Sequence, residues 1–179
     1  MTVFEYGGGG STLFFLSKVR RVHTVEHDKE WFESIEGKIK SRYGNNWDGI
    51  FVSPELIETT DAQRYSDPTQ YTSSDNQFIN FSFKKYAESI DKFPDNYFDL
   101  VMVDGRSRPS CLWHGIPKVK PGGLLVLDNS ERDYYLQDSQ LLNAINTKFN
   151  VMESSHSPQP FSSHFTTTTV WRKIGNHTK

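Results

Sequence analysis

Short apolar runs punctuate the chain at Val3-Phe4, Val22-His23-Thr24-Val25, Gly49-Ile50-Phe51-Val52, residues 98–103 and residues 124–127. Runs of this length read as strands, and the stretches between them carry helical spacing. Residues 29–41 place Trp31, Phe32, Ile35 and Ile39 on one helical face, with Asp28 positioned to cap it. Residues 80–92 repeat the pattern through Phe83, Tyr86, Ala87 and Ile90. A short helix is expected over 111–119 and a longer one over 135–148. The unbroken run Phe98-Asp99-Leu100-Val101-Met102-Val103 predicts a strand buried on both faces, and strands alternating with helices predict a parallel sheet.

The pattern changes near the C-terminal end. Pro121-Gly122-Gly123 predicts a turn ahead of the fifth strand, and the segments 150–154 and 166–171 then follow with no room for a crossover helix between them. They are expected to pair as an antiparallel hairpin, leaving one reversed strand in an otherwise parallel sheet. Residues 58–77 are polar and aperiodic, and a loop this long inside one domain is either a lid over a site or an idle surface segment.

With 179 residues the chain reads as a single domain spanning 1–179. Twenty Lys and Arg against 22 Asp and Glu leave a formal charge of −2, which favours a small-molecule partner over nucleic acid or an anionic membrane. No apolar run approaches membrane-spanning length, and the lone Cys111 excludes an internal disulfide. A cytoplasmic protein is expected, its oligomeric state left open.

The densest chemical signal is Glu5-Tyr6-Gly7-Gly8-Gly9-Gly10-Ser11-Thr12 between the first strand and a helical stretch. Without Cβ atoms such a loop can turn sharply and bring its backbone close to a ligand, and the helix behind it offers unpaired N–H groups. This is a nucleotide-type cofactor loop. Further signals are acids ending the second and fourth strands, Glu26 and Asp104, and Asp128-Asn129 ending the fifth.

Taken together, these motifs resemble the class I S-adenosylmethionine-dependent methyltransferases over nearly the whole chain. The resemblance implies a three-layer, Rossmann-like α/β fold with a mostly parallel seven-strand sheet and a C-terminal antiparallel hairpin. It implies S-adenosylmethionine as cofactor, with Glu5, Gly7, Gly8 and Gly9 in its first motif and Ser11 where a third glycine often stands. Glu26 takes the place of the acid that binds the ribose, with Asp28 the weaker candidate. His27 and Ser53 fall beside the adenine, and Asp104 against cofactor or substrate. The residues themselves agree, since a carboxylate at Glu5 opposes a pyrophosphate and suits a cationic sulfonium cofactor.

Methyl transfer to a hydroxyl also needs a proton removed, by a base or through a metal. Asp104, Asp128 and Asn129 are expected at neighbouring strand ends, where oxygen ligands suit magnesium. Here the chain is locally similar to the metal-dependent O-methyltransferases of the catechol and caffeoyl-coenzyme A type. Arg106, Arg108, Arg132 and His114 lie near the same edge and could grip an acidic substrate, with His114 also able to serve as a base. The expected activity is O-methylation of a small-molecule or sugar-type hydroxyl. An NAD-dependent oxidoreductase and a non-catalytic cofactor-binding module are the alternatives. Many members of the resembling family carry helices ahead of the first strand, so cover for the cofactor is expected from residues 58–77, from a partner subunit, or from sequence ahead of Met1.

Overall fold

The computed structural model describes residues 1–58, 64–158 and 164–175. The first half of the sheet is built from β1 (Thr2–Tyr6), β2 (Arg21–Glu26) and β3 (Trp47–Phe51), linked by α1 (Gly10–Leu16) and α2 (Lys29–Tyr43). A two-strand ribbon of β4 (Glu55–Leu56) and β5 (Phe81–Ser82) follows, then the short helix α3 (Lys84–Ala87), β6 (Phe98–Val103) and α4 (Arg108–Lys118). The chain ends with β7 (Val119–Leu127), α5 (Ser139–Lys148), β8 (Phe149–Pro158) and β9 (Phe165–Lys173).

The seven-stranded sheet runs in the order β3-β2-β1-β6-β7-β9-β8. Its first five strands are parallel, and β9 is antiparallel to both of its neighbours. The expected hairpin is therefore present, with its second strand inside the sheet and its first at the edge. A dinucleotide-binding doubly wound sheet instead continues parallel at that side. Among the described residues, no helix is long and apolar enough to cross a membrane.

Each face of the sheet has its own core. Phe4 and Tyr6 point to one side, where they meet Phe83, Tyr86 and Phe98, with the Phe4 and Phe98 rings 5.3 Å apart. Val3 points to the other, against Leu16, Val22 and Ile39. The alternation of a strand assigns Glu5 to that second side, beneath α1.

Three expectations of the chain pattern are corrected. The stretch 80–92 is not one helix, because Asn80 takes a left-handed φ of 63° and the chain then passes through β5, α3 and a single 3₁₀ turn at Glu88–Ile90. Pro121-Gly122-Gly123 is not a turn ahead of a strand but a bulge inside the longer β7. Phe98 faces Val119, yet Leu100 faces Leu124, so the extra residues loop out where Pro121 has no donor to offer. The helix expected over 135–148 starts later, after a 3₁₀ turn at Asp133–Leu136, where Asp138 Oδ1 accepts the Gln140 and Leu141 N–H groups at 3.0 and 2.8 Å.

Of the polar stretch 58–77, residues 59–63 lie outside the described residues. The part from 64 onward folds against the carboxyl edge of the sheet. Phe83 N–H donates to Tyr71 O at 2.8 Å, Ser74 Oγ lies 2.7 Å from Tyr134 Oη, and Asp75 pairs with Arg106 at 2.9 Å.

Candidate functional site

The loop after β1 is held from below. Glu5 has no exposed surface, and its carboxylate accepts hydrogen bonds from Ser11 Oγ, Thr12 Oγ1 at 2.6 Å and Thr24 Oγ1 at 3.2 Å. Burial pushes its pKa up to about 7 despite those three donors. Glu5 therefore braces the loop and does not line the cleft above it. Thr12 and Thr24, which the sequence did not flag, complete the brace, and Ser11 both braces the loop and lines the cleft.

The glycines serve close packing. Gly7 adopts φ 88°, and a Cβ there would come within 3.0 Å of the Gly105 backbone. At Gly8 a Cβ would meet Thr24 Cγ2 at 2.9 Å. The N–H groups of Gly7, Gly8 and Gly9 donate to Val25 O, Glu26 Oε2 and Thr12 Oγ1, each at 2.9 Å. The expectation that loop amides hold a ligand is thus narrowed: an N–H carries one proton, and those three are committed internally. The indole N–H of Trp31 donates to Gly8 O at 2.6 Å and fixes the loop from the α2 side.

Glu26 closes the opposite wall. Its carboxylate accepts the backbone N–H groups of Gly8, His27 and Asp28 at 2.9, 2.6 and 2.9 Å. Burial opposes its ionisation, but the His27 side chain beside it and the Asp28 and Gly8 N–H groups outweigh burial and hold the pKa below the usual carboxylate range. Oε1 is crowded by the His27 and Asp28 N–H groups and by His27 Nδ1 at 2.7 Å, whereas Oε2 accepts only from Gly8, so a lone pair on Oε2 remains for a hydroxyl. His27 lines the cleft with its ring among Phe78, Phe83 and Tyr86, at 5.4, 5.7 and 6.0 Å. Asp28 is the helix cap, accepting Trp31 N–H at 2.9 Å. Ser53 is exposed and bonds to Pro54 O at 3.3 Å, and it does not line the cleft.

At the end of β6, Asp104 faces the same cleft. Burial raises its pKa to about 7, with Arg108 opposing the shift and the charge of Asp128 adding to it. The buried Arg108 guanidinium reaches Asp104 Oδ1 at 3.1 Å and Gly105 O at 3.0 Å, and also donates to Asp128 O. Asp128 Oδ1 accepts from Thr168 Oγ1 at 2.6 Å, and the Asn129 side-chain amide donates to Thr166 Oγ1.

This arrangement does not fit the expected magnesium site. A divalent ion needs oxygen ligands free to turn toward it, whereas Arg108 holds Asp104 Oδ1 and Thr168 holds Asp128 Oδ1. Among the described residues, no group of three or more His, Cys, Asp or Glu could hold a metal. Asp104 and Asp128 do come together as expected, close enough for their carboxyl groups to interact, but Asp104 is paired with Arg108.

The resulting cleft has a volume of about 330 Å³ and runs from the glycine loop past Glu26 and His27 to Asp104, Gly105 and Arg106. Arg106 stacks over Phe78 at 5.7 Å and pairs with Asp75. His114 is a correction. It sits between Asp91, 2.7 Å from Nδ1, and Tyr71 Oη, 3.2 Å from Nε2, and lines none of this cleft. Cys111 is fully buried, its S–H directed to Arg106 O at 3.3 Å.

No family model and no curated protein sequence matches the chain. Solved structures share its fold. An O-methyltransferase from Bacillus cereus in complex with S-adenosylhomocysteine superposes with a TM-score of 0.63 at 13% identity, covering 96% of this chain and 73% of that one. An rRNA methylase from Streptococcus thermophilus gives 0.59 at 11% identity, covering 97% and 87%. The N-methyltransferase NodS from Bradyrhizobium japonicum WM9 gives 0.55 at 10% identity, covering 97% and 85%. At these identities the likeness is one of fold, and the fold is that of the class I S-adenosylmethionine-dependent methyltransferases. The acceptors named for these neighbours differ, so the shared architecture does not select one.

Proposed function

We propose that the chain is an S-adenosylmethionine-dependent methyltransferase that methylates a hydroxyl of a small, sugar-type or other polar molecule. The observation that carries this reading is the meeting, in one cleft, of the braced glycine loop, the Glu26 carboxylate with an acceptor position to spare, and Asp104. The fold shared with a neighbour solved with S-adenosylhomocysteine supports it.

The residues fit the cofactor. Gly7, Gly8 and Gly9 leave room above the loop, and Gly10 and Ser11 belong to the first turn of α1, whose N–H groups have no intrahelical acceptor. Glu26 accepts from the ribose hydroxyls, and the half-buried imidazole of His27 offers a flat wall to the base. When bound, the cofactor supplies a methyl group already activated by its sulfonium. What the chain must add is alignment, exclusion of water and a place for the acceptor's proton. Asp104 serves as that place: its raised pKa leaves it able to take a proton near neutral pH, and Arg108 holds the carboxylate in position. Arg106, at the far end of the cleft, faces the acceptor. Residues 64–78 pack along this edge and act as the cover. With Arg108 beside Asp104, the proton transfer is assigned to the carboxylate without a divalent ion. The buried, lone Cys111 suits a reducing cytoplasm.

Calorimetric titration of the purified protein tests the reading. S-adenosylhomocysteine is expected to bind and NAD is not. A folded protein that ignores S-adenosylmethionine and S-adenosylhomocysteine at millimolar concentration would refute it, and binding of NAD instead would favour the oxidoreductase.

A further inference from the structure

Beyond Arg106 the cleft adjoins a second, narrower recess. Its floor is Ser107 and Arg108 at the start of α4, one wall is Thr72 with Ser73, and the other is Arg132 with Tyr134. Gly105 and Arg106 line both spaces, so the recess opens beside the cleft that Asp104 faces. The hydrogen bond between Ser74 and Tyr134 joins the two walls. The recess holds about 20 Å³, room for little more than one water-sized group, so only the tip of a ligand enters it.

Three guanidinium groups border it, and their charges are not balanced alike. Arg108 is paired with Asp104 and Arg106 with Asp75. Arg132, at the solvent-exposed rim, forms no ion pair among the described residues; its guanidinium meets only phenols, with Nη1 donating to Tyr135 at 3.1 Å and a further hydrogen bond to Tyr134. Two further polar atoms on its lining residues have no partner: Thr72 Oγ1, on a residue only 5% exposed, and the buried Nε of Arg106. Buried polar atoms in native proteins nearly always have a partner, and unanswered donors beside an unpaired cation suit an anion.

We propose that this recess binds a carboxylate group of the methyl acceptor, with Arg132 as its counter-ion and Thr72 and Arg106 as hydrogen-bond donors. The inference rests on the methyltransferase reading of the adjoining cleft and narrows its substrate class to hydroxylated carboxylic acids. A carboxylate matches the small volume and the one uncompensated positive charge. A phosphate monoester would bring nearly two negative charges and a third oxygen.

The test follows backbone amide resonances in protein saturated with S-adenosylhomocysteine, titrated at constant ionic strength with acetate and benzoate, with acetamide and benzamide, and with inorganic phosphate. Saturable shifts around residues 72–74 and 132–134 are expected with the carboxylates and not with the amides. Arg132→Ala is expected to weaken benzoate binding about tenfold or more, as loss of a close charge partner does, and Arg132→Lys to restore part of it. Arg42→Ala removes the same charge from a distant surface and is expected to change nothing. Equal responses to benzoate and benzamide, no carboxylate response, or an unaffected Arg132→Ala would each overturn the proposal, as would tighter binding of phosphate than of either carboxylate. Affinity for S-adenosylhomocysteine is measured separately. If it is absent, the cofactor reading fails while the recess is still scored in protein without it; if it is normal and carboxylates do not bind, only this inference fails.

Discussion

Thr12 Oγ1 lies 2.6 Å from Glu5 Oε2 and accepts the Gly9 N–H at 2.9 Å, so a single hydroxyl ties the glycine loop to a buried acid. The hydroxyl has one proton to give, and Glu5 receives it. The conformation of the loop therefore depends on a carboxyl group that water cannot reach.

This gives stability a pH dependence. Burial raises the Glu5 pKa from 4.5 to about 7, so the folded state favours the protonated form. The associated stability is fully present below the unfolded value of 4.5 and is lost as pH rises through about 7; for Glu5 the shift corresponds to about 3 kcal/mol. Asp104, also raised to about 7, acts with the same sign. Urea unfolding midpoints are expected to fall from about pH 5 to about pH 8, and Glu5→Gln to remove roughly half of that fall. A midpoint that rises over this range would contradict the assignment.

Two of the loop glycines should respond oppositely to alanine. Gly7→Ala places a Cβ at φ 88° against the Gly105 backbone and is expected to destabilise the protein by about 1–3 kcal/mol. Gly10→Ala meets nothing within 4 Å and begins a helix, so stability should be unchanged or slightly higher. Chemical denaturation of both variants measures the difference.

Removing Arg108 leaves the buried side of Asp104 uncompensated and three acceptors unanswered. Arg108→Ala is expected to cost about 3–5 kcal/mol by the same measurement. Lysine should not rescue it, because a single ammonium cannot meet the Asp104 carboxylate, Gly105 O and Asp128 O together.

Magnesium is expected to leave the thermal midpoint of the wild-type protein unchanged, and chelation likewise. A magnesium-dependent rise would mean that Arg108 yields its place beside Asp104 to an ion.

If Asp104 takes the acceptor's proton, kcat/KM should rise with pH through about 7 in the unmodified enzyme. Asp104→Asn should lower methyl transfer by about 10²–10⁴-fold, with a much smaller change in S-adenosylhomocysteine affinity. Equal losses in both would make Asp104 a cofactor-binding residue alone.

Much of this architecture is legible in the sequence because it is written in local patterns. The buried run at 98–103, the four glycines after Val3-Phe4-Glu5-Tyr6 and the strand pair too close for a helix between them all carry their structure within a few residues. The side-chain roles were less accessible. β1 is buried on both faces, so nothing in its pattern shows whether Glu5 turns toward a ligand or toward α1. Arg108 stands beside a proline in a polar stretch and reads as a residue free to grip a substrate, yet its partners Asp104, Gly105 and Asp128 converge only once β6 and β7 are adjacent. His114 reads as a base near the site until Asp91 and Tyr71 close around it from other elements. The one local hint of the Arg108 pair was its spacing, four residues after Asp104 across the start of a helix.

The placement of β9 between β7 and β8 bears on how the molecule is made. A nascent chain can assemble the five parallel strands as they leave the ribosome, but β8 has no partner until residues 165–173 emerge and insert beside β7. Until then β7 presents an open edge, a site for mispairing with other chains. Asp128 and Asn129 meanwhile lack the threonines that engage them, so the carboxyl end of the sheet is completed only after synthesis has passed the last strand.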